Sequence, residues 1–481
     1  MIPDSNPYIP NSSEKIMREM LKEIGVESVE ELYRDIPKSI PRHELRGMPS
    51  SHSEVEVRRI LNSIILKNRT IHEMPTFLGA GVWPHYVPAL VDMIVSRSEF
   101  LTSYTPYQPE IAQGILQALF EYQSVMAELL DMEVVNSSLY DWSTALGEAA
   151  LLAKRVTQRS IILIPHIIHP DRFKVLKTYV EGSGIKVEEI SPQEKTGQLS
   201  LQSLKDKLSE DVAAVYVENP SYFGFLEEQV DDISKIAHER GSLLIAGVDP
   251  TSLGVIRPPG EYDADIAIGE GQPLGNHMSF GGPLLGILGC REDLKLIRQV
   301  PGRLVGMTTT LEGNDTGFVL TLQTREQHIR RERATSNITS NEALCAVAAL
   351  VYSSLLGAKG FRQLGELILA DTNYAIRRLS KIKGLRVPVI EGAHFKEFTL
   401  STDESGKPIS VYNGELLRRG IQGGHPIDKE FPEFGNTALL CVTEIHSKAD
   451  IENLVEASEE VMAGSNRIER GQESQTHLRK E

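Results

Sequence analysis

The sequence predicts an α/β fold in which a large, mixed but mostly parallel sheet domain precedes a smaller C-terminal α+β domain. Three observations carry this expectation. Short, near-continuous apolar runs recur in the middle of the chain, at "SIILI", "VAAVYV", "SLLIAGV", "ADIAI" and "LLGILG". Unbroken rather than alternating apolarity marks strands covered on both faces. Helix-like segments such as "SLQSLKDKLSE" and "DISKIAHER" separate several of the runs. From about residue 340 the pattern changes to one long helix and then a shorter mixture of helix and strand.

The elements follow in chain order. Asn11 and Glu14 suggest a helix start, with Ile16, Met20, Leu21 and Ile24 on one stripe. Ser53 and Glu56 make a capping box for a second helix, whose stripe is Val57, Ile60, Leu61 and Ile64. A third helix is expected from about Pro109, tolerated in a first turn, to Leu130. Its apolar face is Ile111, Ile115, Leu119, Tyr122, Met126 and Leu129. All these faces read as packing surfaces. Beyond the long helix at "NEALCAVAALVYSSLLG", "TALLCVTEI" reads as a strand. Ser447 and Asp450 then cap "KADIENLVEASEEVM". The expected division is a helical arm (1–70), a large α/β domain (71–335), a small α+β domain (336–463) and a polar tail (464–481).

Composition narrows the function classes. A net charge of −16 disfavours nucleic acid and anionic membranes as partners, since both are negative. Cys290, Cys345 and Cys441 are far apart and odd in number, so buried thiols in a reducing compartment are expected, not disulfides. The N-terminus shows no signal-peptide pattern, and no apolar run is long enough to span a bilayer. A cytoplasmic location is expected.

Ligands on a parallel sheet bind beyond the carboxyl ends of its strands. In "YDWSTALGEA", Ser143 and Thr144 stand at a helix start, as a phosphate cradle or as a plain cap. In "VYVENPSYFGFLEE" a buried strand ends at Glu218, before an aromatic loop that reads equally as a ligand site or a turn. Asp249 follows another buried strand. A carboxylate there holds a protonated cofactor ring nitrogen, or it caps the turn before Pro250. Tyr104, Tyr107 and Gln108 are polar-tipped groups of the kind that line an interface or pocket. The segment "LQTREQHIRRERATSN" gathers Arg325, Arg330, Arg331 and Arg333, either as a solvated face or as an anion clamp or subunit contact. His166 and His169 have H-x-x-H spacing but no third ligand, so no metal site is expected. "GEGQPLG" lacks both the spacing and the following helix of a dinucleotide loop.

Long, ordered motifs over about residues 8–340 resemble one family. They are "YIPNSSEKIMREMLKEIGVESVEELYRDIP", "FLGAGVWPHYVP", "SYTPYQPEIAQGILQALFEYQ", "YDWSTALGEA", "GEGQPLG" with "SFGGP", and "LQTREQHIRRERATSNI". The family is the glycine cleavage system P-protein, glycine dehydrogenase (decarboxylating), and the likeness is to its N-terminal half. In many bacteria and archaea that half is a separate chain, subunit 1, paired with a subunit 2. The resemblance implies the type I fold of pyridoxal-phosphate-dependent transferases. In such enzymes an aspartate after one strand holds the pyridine ring, and a His-Lys-like pair one strand later supplies the Schiff-base lysine. Asp249 matches the first, but Gln272 and Pro273 stand in place of the pair, and no lysine occurs between Lys235 and Lys295. Proline has no amine, so no internal aldimine forms there. Trp142 stands where the family often has glycine, either filling the phosphate space or turning outward.

The resemblance therefore implies no catalytic residue in this chain and no covalently held cofactor. Pyridoxal phosphate is expected on subunit 2, in an α2β2 assembly that decarboxylates glycine, releases CO2 and passes the aminomethyl group to the lipoyl arm of H-protein. Ser143, Thr144 and Asp249 are then remnants of a cofactor site. Tyr104, Tyr107, Gln108, Arg325 and Arg330 are candidates to face the partner's site. Two rivals stand beside this reading: a non-catalytic scaffold or regulatory pseudo-enzyme, and an autonomous aminotransferase-like enzyme, which the absent lysine weighs against.

Overall fold

A computed structural model describes residues 8–37, 39–40, 47, 51–338 and 341–464. The expected polar tail lies, but for its first residue, outside the described residues. The chain divides into two compact units, residues 1–69 and 70–481.

In the first unit the helices Glu14–Ile24 and Glu54–Ile65 form as their patterns predict. Ser53 and Glu56 make both bonds of the capping box. The first helix is capped by Ser13, whose side chain accepts from the Ile16 N–H, and not by Asn11, which lies in the preceding turn. The packing expectation fails for both stripes. Ile16, Met20, Ile24, Val57, Ile60, Leu61 and Ile64 are exposed, and Leu21 alone of the expected residues is buried. Among the described residues nothing covers these apolar faces.

The second unit is built on a seven-stranded sheet in the order β1-β7-β6-β5-β4-β2-β3. Its strands are β1 (Val134–Val135), β2 (Ile161–Pro165), β3 (Lys186–Ile190), β4 (Val212–Glu218), β5 (Leu243–Val248), β6 (Ile266–Glu270) and β7 (Gly286–Cys290). Neighbours from β3 through β6 run parallel, and β7 is antiparallel to both β6 and β1. Every residue of β4 and β6 is buried, as expected for strands covered on both faces. Two large apolar clusters, one containing Leu119, Tyr122 and Leu244 and the other Leu146, Ile162 and Ile245, sandwich the sheet.

The helix expected from Pro109 begins at Gln113. Residues 109–111 form turns, which leaves Ile111 exposed while Ile115, Leu119, Tyr122 and Met126 are buried. The helix Ala343–Leu379 is long and apolar enough to cross a membrane, but its residues Ala346, Ala349, Ile368 and Leu379 are buried in the cores. It is a core helix interrupted at Gly357, whose backbone is non-helical. A hairpin of β8 (Leu304–Thr309) and β9 (Thr316–Thr321) was not foreseen. The small sheet has the order β10 (Glu397–Ser401), β12 (Thr437–Cys441), β11 (His425–Pro426), all pairs antiparallel. Only β12 was legible as a strand. The three cysteines are free and buried.

This topology sets the carboxyl ends of β4, β5 and β6 side by side. Glu218 ends β4, Asp249 follows β5, and Glu270 ends β6. Three carboxylates thus converge where a doubly covered sheet opens to ligands.

Candidate functional site

Asp249 is buried, and each of its oxygens is engaged. Oδ1 accepts from the Thr251 N–H at 3.0 Å and from the Thr251 hydroxyl at 2.8 Å. Oδ2 is ion-paired at 2.5 Å with Nζ of Lys396, the residue just before β10. Lys396 is itself fully buried, with its ammonium 3.7 Å above the Trp83 ring and 3.3 Å from His85 Nε2. His85 Nδ1 in turn lies 2.8 Å from Glu444 Oε2.

A second buried cation sits beside the first. Arg172 pairs with Glu218 at 2.9 Å, and its guanidinium stacks 3.4 Å from the Trp142 ring centroid. Trp142 donates its indole N–H to the Tyr216 hydroxyl at 3.1 Å, and that hydroxyl donates to Glu218 at 2.8 Å. Burial, then the Glu218 charge, push the Tyr216 hydroxyl well above its ordinary pKa, so it stays a donor. Trp142 therefore turns inward and fills space.

The helix Trp142–Thr157 starts at the same place. Its cap is Asp141, which accepts from the Thr144 N–H at 2.8 Å and from the Thr144 hydroxyl. The Trp142 N–H donates to Glu270 at 3.2 Å. Ser143 and Thr144 lie in the buried first turn, as their position in the sequence suggested. Two of the N–H groups that attract anions at a helix start, those of Trp142 and Thr144, are satisfied here by the chain's own carboxylates. Glu270 also accepts from the N–H groups of Gln272, at 3.0 Å, and Leu285, at 2.8 Å. Burial nonetheless pushes its carboxyl up to about 7, against those hydrogen bonds.

The loop after β6 holds one wall of the pocket. Gln272 is buried and grips Trp83 through the backbone: Oε1 accepts from the Trp83 N–H at 3.1 Å, and Nε2 donates to the Trp83 carbonyl at 3.2 Å. Nε2 donates as well to the Asn276 carbonyl at 2.8 Å. Pro273 continues the turn. Gln272 holds the indole that roofs Lys396.

Pyridoxal phosphate does not fit these residues. The space enclosed by Trp83, Trp142, Arg172, Asp249 and Lys396 is a void of about 10 Å³, room for one water at most. Pockets for organic ligands run to roughly 300 Å³ and above. The carboxylate that suits a ring nitrogen is paired with Lys396, and the Trp142 and Thr144 donors of the helix start are taken. The amine in this pocket, Lys396, is ion-paired with that same carboxylate.

The remaining predicted residues lie elsewhere. Tyr104 and Gln108 are exposed. Tyr107 is half-exposed, edge-on to His328 at 5.4 Å, with its hydroxyl 3.4 Å from Arg303. Arg325 donates to the Val300 carbonyl, and burial lowers its guanidinium to about 10. Arg330 is exposed and donates to the Thr324 carbonyl at 2.9 Å. None of the five lines the Asp249 pocket. His166 and His169 part company: His166 bridges Glu189 and Glu433 at 2.7 and 2.8 Å, and His169 bonds to the Ala80 carbonyl at 2.8 Å. A cavity of about 1090 Å³ is lined by His166, Glu189 and Glu433, and none of Tyr104, Tyr107, Gln108, Arg325 or Arg330 lines it.

Farther along the helix that starts at Trp142, Glu148 is buried and accepts from the Ser336 hydroxyl at 2.7 Å. Burial pushes its carboxyl up to about 7, against that bond. A raised carboxyl stabilises the fold fully below its unfolded value and loses that contribution as pH rises through the folded value. Between pH 5 and pH 8 the chain is thus expected to lose on the order of 2 kcal/mol at this group. Glu148→Gln removes that loss, so urea denaturation of the variant should show a smaller difference between the two pH values.

The glycine cleavage system P-protein family model matches residues 6–457. The "probable glycine dehydrogenase (decarboxylating) subunit 1" of Pyrococcus abyssi is 51% identical over 457 residues, covering 95% of this chain and 99% of the relative. A crystal structure of glycine decarboxylase (P-protein) of the glycine cleavage system, in inhibitor-bound form, superposes with a TM-score of 0.85. It is 39% identical, with coverage of 95% of this chain and 99% of that one. A sphingosine-1-phosphate lyase of Burkholderia pseudomallei superposes with a TM-score of 0.63 at 14% identity, over 90% of this chain and 94% of that one, and speaks for the fold alone. With the mixed, mostly parallel sheet, these likenesses give the fold type I class that the sequence led us to expect.

Proposed function

Because this chain belongs to the glycine cleavage system P-protein family, we propose that it is the cofactor-free subunit of a two-chain glycine decarboxylase. The partner, subunit 2, holds pyridoxal phosphate, which supplies the electron sink for loss of CO2 from glycine. The aminomethyl group then passes to the lipoyl arm of H-protein. This chain supplies shape and surface to the partner's site, inside an α2β2 assembly in the cytoplasm.

One observation carries the reading. Where the fold offers an aspartate for the cofactor ring, this chain pairs it with its own Lys396, and it has Pro273 where the loop needs an amine. The uncovered apolar stripes of the first unit and the exposed Tyr104, Gln108 and Arg330 support a role in docking.

The test is glycine/CO2 exchange by this chain, by subunit 2 and by the co-purified pair, each with pyridoxal phosphate. Activity of the pair is expected to exceed the sum of the separate chains. Borohydride should trap cofactor on subunit 2 and none on this chain. A trapped lysine here would sink the reading. Full activity of subunit 2 alone would leave this chain a scaffold.

A further inference from the structure

We propose that the cavity beside His166 binds a linear oligoamine, an alkyl chain that carries two or more ammonium groups. The cavity holds about 1090 Å³, well above the roughly 300 Å³ at which organic ligands begin to fit. It lies along the seam between the two sheets of the second unit. One wall comes from the ends of β2 and β3 and the turn that follows, through His166, Glu189 and Glu194. The other comes from the segments that flank β10 and precede β12, through Glu391, Glu404 and Glu433. None of these six residues lines the Asp249 pocket, so the site stands apart from the cofactor question.

Charge and floor together select the ligand. Six carboxylates line the cavity against two permanent cations, Lys195 and Arg386. Arg386 is turned to the Val389 carbonyl, at 2.9 Å. His166 spans Glu189 and Glu433 and so ties the large sheet to the small domain. The side chains of Glu194, Glu391 and Glu404 are exposed, and among the described residues no cation pairs with them. Beneath this rim lies a buried apolar floor of Ile167, Val389 and Ile390. Methylenes pack on such a floor while charged heads stay at the wet rim. The walls are joined before a ligand arrives, because the Glu391 N–H donates to the Lys195 carbonyl at 2.9 Å. A metal ion does not suit the site: among the described residues no group of three or more His, Cys, Asp or Glu is placed to hold one.

An independent feature points to a ligand at the inner end. A void of about 20 Å³ adjoins the cavity and shares His166, Ile167, Pro192 and Gly197 with it. Ser221 lines this void and stands between it and the Asp249 pocket. It is 8% exposed, and its hydroxyl has no partner among the described residues. A buried polar atom left unpaired carries a cost that a ligand donor removes. The void has room for one group the size of water, and Glu218 and Glu227 line it, which favours a cation there. One terminal ammonium therefore donates to Ser221 Oγ, and the others meet the rim carboxylates.

Isothermal titration calorimetry of the full chain with spermidine, at low ionic strength, is the test. One-to-one binding is expected, on the order of 10-fold tighter than n-butylammonium, Mg²⁺ or trilysine. Glu194→Gln, Glu391→Gln and Glu404→Gln together should weaken spermidine on the order of 10-fold. The thermal midpoint of the free chain should not move, since these side chains hold nothing in the fold. The same loss of charge at the exposed Glu210, Glu456 and Glu459 should leave the affinity within about 2-fold. Ser221→Ala should weaken binding about 5-fold. Equal losses from the two triple variants, or equal affinity for n-butylammonium or Mg²⁺, would reduce the effect to diffuse attraction by a chain of charge −16 and overturn the site. Tighter binding of trilysine would make the cavity a peptide dock and overturn the oligoamine assignment. No binding of spermidine would overturn both, and an unchanged Ser221→Ala would overturn the inner seat. None of these readouts involves turnover or pyridoxal phosphate.

Discussion

Arg172→Ala is expected to destabilise the chain by about 3–5 kcal/mol. Arg172 is buried, and so is every group it serves. Its pair with Glu218 spans 2.9 Å, Glu218 also accepts from Tyr216, and the guanidinium covers the Trp142 face. The substitution leaves a carboxylate in a low-dielectric interior with one neutral donor, and strips one face of a large aromatic ring. Urea denaturation of the full chain measures the loss. The pairing is separated from mere packing by Arg172→Met combined with Glu218→Gln, which keeps volume and removes both charges. That double variant should stand well above Arg172→Ala. A convenient probe comes with the sequence: Trp83 and Trp142 are its two tryptophans, and both line this pocket. Red-shifted emission in Arg172→Ala is expected, and unchanged emission with unchanged stability would refute the account.

The sheet was legible because its evidence is local. "VAAVYV" and "ADIAI" are unbroken apolar runs because β4 and β6 are covered on both faces, and periodicity reports that directly. Capping boxes at Ser53 and Ser447 were equally legible, since two residues three positions apart suffice to state them. β3, "KVEEI", escaped because it is an edge strand with charged residues, and β10 because "EFTLS" is short and not strongly apolar.

The pocket divides along the same line. Asp249 was found because it stands just past a strand end, and Trp142 because the resembled family often has glycine at its position. Lys396, Trp83 and Arg172 were not, because what matters about them is long-range. Lys396 meets Asp249 across 147 positions of sequence, and a lone lysine before a weak strand gives no signal of burial. The one usable hint was negative. A loop shaped for an amine but carrying Gln272-Pro273 implies that something else closes the site. The structure supplies that something, and gives Gln272 a task the sequence did not suggest: it holds the roof.

Gly224→Ala is the second large effect, expected to cost about 2–4 kcal/mol. Gly224 lies in the aromatic loop after β4, read from sequence as a ligand site or a turn; it bonds its N–H to the Ser221 carbonyl at 2.9 Å. Its φ is +83°, already unfavourable for any other residue, and an added Cβ would lie 1.8 Å from the Glu397 carbonyl oxygen. That neighbour is backbone and cannot rotate away. It is also the first residue of β10, adjacent to Lys396, and the Phe395 N–H donates to the Gly224 carbonyl at 2.9 Å. The loop and the strand start therefore form one unit. Relieving the clash moves Glu397 outward and draws the Lys396 ammonium off Asp249, so stability and Trp83 emission should change together. Gly414→Ala is the matched control: it lies in the helix Ile409–Arg418 with nothing within 4 Å of the new methyl. There alanine should stabilise by about 0.5–1 kcal/mol. If Gly224→Ala denatured like the control, close backbone approach at this loop would not be what positions the lysine.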